Sequence, residues 1–171
     1  MTETLYEIEG PWQGRLAIAS RPRGGEWLED DVRALRAAGV DVLVSLLSGP
    51  EVVELGLAAE QALAQSQGIE FVSFPIEDRG VPRVAPTEEL QACIADLLAE
   101  GKTVAVHCRS GIGRSTIVVA PVLAIAGVPL DVAFRRIEEA RGLSVPDTPE
   151  QKAWVETFVK QALGARERTA S

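Results

Sequence analysis

Residues His107 to Ser115 read HCRSGIGRS, and their setting limits what this chain can fold into more than any other segment. Before them, Thr103-Val104-Ala105-Val106-His107 follows Gly101-Lys102 and has the length and apolarity of a buried central strand. After them, an apolar run continues to Ala126 and stops at Gly127, too long for a second strand of that kind. It predicts a buried helix over 115–126, bent at Pro121, which has no backbone donor. Glycines at 111 and 113 let the intervening loop turn tightly and approach a ligand. Strand, glycine loop and helix N-terminus in that order make an anion nest, with amides pointing inward and the helix dipole behind them.

The side chains on this loop suit one anion in particular. Cys108 and Arg114 stand at its two ends, spaced Cys-x5-Arg. Cys108 is the candidate nucleophile, because inward amides, the helix N-terminus and Arg114 all favour a thiolate. Arg114 offers a planar fork that grips two phosphate oxygens and stabilises their charge during transfer. The backbone of Arg109, Ser110, Gly111, Ile112 and Gly113 would surround the phosphate between them. Ser115 can donate to the cysteine sulfur and help it leave a phosphocysteine. His107, the only histidine, is expected to order the loop from behind through backbone contacts rather than act as a base. For the Arg109 side chain two readings stand: substrate contact, or a pair with a loop carboxylate.

Other chemistries fit less well. A nucleotide-binding GxxxxGK[ST] loop would need Gly at Cys108 and Lys at Arg114, and a dinucleotide fingerprint would need glycine where Thr116 stands. One His and two distant Cys give no zinc-ligand pattern, so no metal and no cofactor are expected. A Cys beside a lone His is commonly just a packed pair; the Arg spacing and the two glycines argue for the reactive reading.

HCRSGIGRS resembles the HCxxGxxR[ST] active-site motif of cysteine-dependent protein phosphatases, and residues 14 to 160 are similar to the small dual-specificity branch. Within that branch the chain looks most like the cyclin-dependent-kinase-associated phosphatases. The resemblance implies a cysteinyl-phosphate intermediate and a reaction without metal. Pro75-Ile76-Glu77-Asp78-Arg79-Gly80-Val81-Pro82 is similar to the branch's general-acid loop, which implies Asp78 as proton donor to the leaving group, with Glu77 its nearest competitor. For Gln151 there are two readings of equal weight. Thr148-Pro149-Glu150-Gln151 is a capping box, which explains the glutamine structurally; the resemblance implies a glutamine near here that positions the hydrolytic water.

Along the chain, strands are expected at Arg15–Ala19, Val40–Leu47, Ile69–Phe74 and before Cys108. Helices are expected over Trp27–Ala38, Glu51–Gln67, Thr87–Glu100 with Thr87 as cap, Leu130–Ala140 and Pro149–Leu163. This alternation predicts an α/β fold, a mostly parallel central sheet of about four to five strands with helices on both faces, and a site at the strands' carboxyl ends. Residues 1–171 are expected to form one phosphatase domain, frayed from Gly164 to Ser171, with Cys93 a core thiol beside Leu90, Ile94, Leu97 and Leu98. Seventeen Lys and Arg against 25 Asp and Glu give a net charge of −8, which argues against nucleic acid and anionic membranes as partners. The absence of a long apolar span or a signal-peptide pattern in MTETLYEIEG, with a working thiol, points to the cytoplasm.

The expected substrate is a phosphorylated protein or a small phosphomonoester. A phosphoinositide phosphatase is the first rival, and neutral Ser110 and Ile112 in the loop disfavour it. A rhodanese-type sulfurtransferase is the second, disfavoured by Arg114-Ser115 and Asp78. A phospho-ligand-binding scaffold without turnover is the third, disfavoured by the intact Cys108, Arg114 and Asp78.

Overall fold

The structure, a computed structural model, describes residues 5–170. Five strands form one sheet in the order β1-β2-β5-β3-β4: β1 Leu5–Ile8, β2 Arg15–Ala19, β3 Val42–Ser45, β4 Glu70–Ser73 and β5 Thr103–His107. β2, β5, β3 and β4 run parallel, and β1 adds antiparallel to the edge at β2. β1 was not among the expected strands. As an edge strand it buries only Ile8, and so carries no continuous apolar signal.

The central strands split their side chains between two helical layers, as a pleated sheet must. Leu16, Ile18, Val42, Val44, Val104 and Val106 form one core with α4 (Val84–Ala99), α5 (Arg114–Ile125), α6 (Leu130–Arg141) and α7 (Pro149–Ala170). Ala19, Leu43 and Ala105 form the other with α1 (Leu28–Ala37), α2 (Gly49–Glu54) and α3 (Glu60–Ser66). Every residue of α5 from Arg114 to Ala124 is buried. That enclosure is why a run rich in β-branched residues is helical: packing overrides weak propensity. Pro121 lies inside α5, and Gln91 of α4 donates to the carbonyl of Val118 at 2.8 Å, near the turn where proline removes a backbone donor.

Four expectations are corrected. The single helix over Glu51–Gln67 is two helices, α2 and α3, separated around Gly56, whose φ of +69° suits glycine and ends the first. Thr87 is not a cap: α4 begins at Val84 with Pro86 in its first turn, and the buried Thr87 hydroxyl donates back to the Arg83 carbonyl at 2.7 Å. Cys93 is exposed, because the buried stripe of α4 runs through Thr87, Leu90, Gln91, Ile94 and Leu98 and leaves position 93 beside it. Of the tail expected to fray, residues 164–170 are helical, with Arg166 Nη1 donating to the Ile125 carbonyl at 2.6 Å, and Ser171 lies outside the described residues. Among the described residues, no helix is long and apolar enough to cross a membrane.

Candidate active site

The parallel strands bring their carboxyl ends to one edge, with Ser45 of β3 opposite His107 of β5. There the chain leaves β5, turns through residues 108–113 and enters α5 at Arg114. The two loop glycines are required for different reasons. Gly111 has φ +70°, open to glycine without strain. A Cβ on Gly113 would meet Asp147 Oδ2 and Gln151 Oε1, each at 2.7 Å. The loop is held from outside by Arg141 of α6, whose Nε donates to the Gly111 carbonyl and Nη2 to the Ser110 carbonyl, both at 2.9 Å. The Arg141 guanidinium in turn lies 4.1 Å over the Tyr6 ring of β1. Engaging those carbonyls outward leaves inward amides free, and the Gly111 N–H donates to Cys108 Sγ at 3.2 Å. Ser115 Oγ donates to the same sulfur at 3.1 Å, so the buried Sγ accepts two hydrogen bonds, a role suited to a thiolate.

Arg114 is 2% exposed, and a guanidinium so enclosed needs full pairing. Glu51 of α2 supplies it as a fork: Arg114 Nη1 donates to Oε1 at 2.6 Å and Nη2 to Oε2 at 2.9 Å. Nη1 also donates to the Ile76 carbonyl at 2.9 Å and Nη2 to Asp78 Oδ1 at 3.1 Å. Burial works against the Arg114 charge, but the Glu51 hydrogen bonds and the nearby Cys108 and Asp78 outweigh it, and its pKa is raised. The same bonds from Arg114 overcome the burial of Glu51 and, with the Ser48 amide and hydroxyl, lower its carboxyl to about 2. Glu51 therefore closes the α2 capping box with Ser48 and anchors Arg114 at once.

Asp78 sits on the loop after β4, its side chain 55% exposed, with Ile76 buried behind it. The loop turns through a bond from the Gly80 N–H to the Glu77 carbonyl at 2.8 Å, with Arg79 at φ +61°. Asp78 touches Arg114, whereas the exposed Glu77 side chain makes no hydrogen bond or ion pair among the described residues.

Gln151 takes the place that its capping reading gives it. It closes the capping box: its N–H donates to Thr148 Oγ1 at 3.1 Å, and its Oε1 accepts from the Thr148 N–H at 3.2 Å. Its Nε2 donates to the Gly80 carbonyl at 3.1 Å, and its amide lies against Gly113, so one fully buried side chain joins the Asp78 loop to the cysteine loop. His107 contacts the Cys108 carbonyl through Nδ1 at 3.3 Å and Glu60 Oε2 through Nε2 at 2.6 Å, all within the interior. Arg109 pairs with Glu54 of α2 at 3.2 and 3.3 Å, a helix carboxylate rather than a loop one.

Three residues of this assembly were not singled out in the sequence: Glu51, Glu60 and Arg141. Ser48-x-x-Glu51 after a strand was a readable capping box; Glu60 and Arg141 reach the loop only through the tertiary fold. A groove of about 900 Å³, lined by Trp12, Gln91, Ala95, Val122, Phe158 and others, includes none of these catalytic candidates.

Residues 17–128 match the family model described as Tc-R-P, a polymorphic toxin system DSP-PTPase phosphatase. The chain belongs to this phosphatase family. Cyclin-dependent kinase inhibitor 3 of Rattus norvegicus is 26% identical over 134 residues, 77% of this chain and 63% of that protein, so the chain spans less than two thirds of that relative. Among solved structures, a kinase associated phosphatase (KAP) carrying serine for its catalytic-site cysteine superimposes with a TM-score of 0.87. That likeness covers 94% of this chain and 96% of the other at 19% identity, a likeness of fold. Tk-PTP in its active form matches with a TM-score of 0.73 at 27% identity, covering 86% of this chain and 92% of that one. The α/β architecture of this DSP-PTPase phosphatase is thus the dual-specificity one, and phosphorylated substrates go with the family.

Proposed function

We propose that this DSP-PTPase phosphatase hydrolyses phosphomonoesters on proteins, at phosphotyrosine, phosphoserine or phosphothreonine, through a cysteinyl-phosphate. The observation that carries the proposal is the sulfur of Cys108 accepting from the Gly111 amide and the Ser115 hydroxyl, beside a buried Arg114 fixed by Glu51. Cys108 attacks phosphorus as the ester P–O bond breaks, and Arg114 with the loop amides of residues 109–113 holds the equatorial oxygens. Asp78 gives its proton to the departing oxygen, then as carboxylate takes one from the water that breaks the S–P bond. Ser115 donates to the released sulfur, and Gln151, joining both loops, positions that water. His107 orders the loop from behind. The names of the relatives, a kinase associated phosphatase and a protein cyclin-dependent kinase inhibitor, support a protein substrate. A working free thiol favours a reducing compartment, the cytoplasm.

Hydrolysis of para-nitrophenyl phosphate tests this directly: turnover should be stopped by vanadate and unchanged by EDTA, and turnover lost to EDTA would overturn it. Asp78→Ala should lower kcat about 10²- to 10³-fold on an alkyl phosphate, whose leaving group needs a proton, and far less on para-nitrophenyl phosphate. Equal losses on both substrates would remove Asp78 as the acid.

A further inference from the structure

One carboxylate that lies against the cysteine loop takes no part in the chemistry proposed above. A side chain on Gly113 would begin 2.7 Å from Asp147 Oδ2, 2.7 Å from Gln151 Oε1 and 3.0 Å from Gln151 Nε2, so Asp147 and Gln151 stand together against the loop residue next to Arg114. Contacts close a ring from there. Arg114 Nη2 donates to Asp78 Oδ1 at 3.1 Å, and Gly80, two residues on, has its carbonyl bound by Gln151 Nε2 at 3.1 Å. Asp147 and Asp78 are therefore two carboxylates of one ring, with Arg114 between them along it. Gln151 is fully buried, and its Oε1 already accepts from the Thr148 N–H at 3.2 Å. Asp147 is exposed and makes no hydrogen bond or ion pair among the described residues. An acidic residue before α7 suits the helix dipole, which by itself gives no reason for Oδ2 to lie against Gly113.

We infer that Asp147 is a further residue of the second step, the acceptor that holds the hydrolytic water on the phosphocysteine; the inference rests on the phosphatase reading above. In that step the water oxygen bonds to phosphorus as the S–P bond breaks, and the electron pair of that bond returns to Cys108 Sγ. One proton passes to the Asp78 carboxylate, and the other stays on the oxygen that departs in the phosphate. A water held only by the proton it is losing is free to turn. Asp147, accepting the retained hydrogen, keeps the oxygen lone pair aimed at phosphorus. Gln151 ties the two loops into a frame, and Asp147, open to solvent, supplies the free acceptor. Asp147 has no task in the first step, in which no water takes part.

Burst and steady-state hydrolysis of para-nitrophenyl phosphate by Asp147→Ala and Asp147→Asn tests this, because kcat/KM reports only the steps up to departure of para-nitrophenol. Rates are taken per active site, counted by vanadate titration, so misfolded protein does not enter them. Asp147→Ala should lower kcat about 10- to 100-fold and KM with it, leaving kcat/KM within about twofold of wild type. It should also release a burst of para-nitrophenol equal to the active sites, with the trapped cysteinyl-phosphate visible in the intact mass of acid-quenched protein. Asp147→Asn, which keeps an acceptor oxygen, should bring kcat back to within about fivefold of wild type. An unchanged kcat with no burst in Asp147→Ala, a kcat/KM that falls as far as kcat, or equal losses in the two variants would each overturn the inference while leaving the phosphatase reading standing. Absence of vanadate-sensitive turnover by wild type would overturn both.

Discussion

With serine in place of Cys108, hydrolysis of para-nitrophenyl phosphate falls by roughly 10⁴-fold or more while phosphate still binds. The reason lies in what surrounds the position. A serine hydroxyl needs a base to become a nucleophile, and the hydrogen-bond partners of Sγ among the described residues are the Gly111 amide and the Ser115 hydroxyl, neither of them a base. His107 is fully buried and engaged with the Cys108 carbonyl and Glu60. Asp78 is engaged with Arg114. Binding survives because its determinants are elsewhere: the amides of the loop, the Arg141 clamp and the fixed Arg114 fork do not depend on sulfur. Steady-state rates with wild type and variant, paired with calorimetric titration of vanadate, separate the two effects. A variant keeping more than about one hundredth of the turnover would take the nucleophile's role away from Cys108. The exposed Cys93, replaced by serine in parallel, serves as the control thiol.

What the sequence disclosed, it disclosed where one local rule decides. The loop from His107 to Ser115 carries its own geometry, because spacing, glycines and flanking periodicity all agree on strand, turn and helix. The parallel order of β2, β5, β3 and β4 likewise follows from alternation of strands and helices. What stayed hidden depends on contacts across long separations. Glu60 reaches His107 from 47 positions away, and Arg141 reaches Ser110 from 31; no pattern in either neighbourhood marks those side chains. Glu51 lies between these cases. Its place as third helical residue after Ser48 was legible as a cap, but its second role, 63 positions from Arg114, needed the fold. Cys93 failed for a smaller reason. Its apolar neighbours suggested a stripe one position wider than α4 buries, and a helix turned by one residue moves a thiol from core to solvent.

Because Glu51 is both cap and counter-ion, Glu51→Gln has a larger effect than its distance from the sulfur suggests. In the folded chain its carboxyl is held at about 2 against an ordinary 4.5, chiefly by the Arg114 hydrogen bonds. A carboxyl depressed on folding contributes stability that is complete above its unfolded value and is lost as pH falls toward the folded one. The difference corresponds to about 3 kcal/mol, in the range expected for leaving a buried guanidinium without its partner. For a chain of this size that predicts a melting temperature lower by roughly 6 to 12 °C at neutral pH. The sign fixes a second signature. Wild type loses this contribution between about pH 5 and pH 2, so its stability slopes through that window, whereas the glutamine variant starts lower and slopes less. Turnover should fall together with stability, since Arg114 no longer has the fork that aims it at the phosphate. Glu54→Gln is the contrast, for Glu54 pairs only with the solvent-facing Arg109 and its loss should leave the melting temperature almost unmoved. If the two variants melt together and share the wild-type acid slope, Arg114 is not held by Glu51, and the positioning of the phosphate grip must be sought in Asp78 and the Ile76 carbonyl instead.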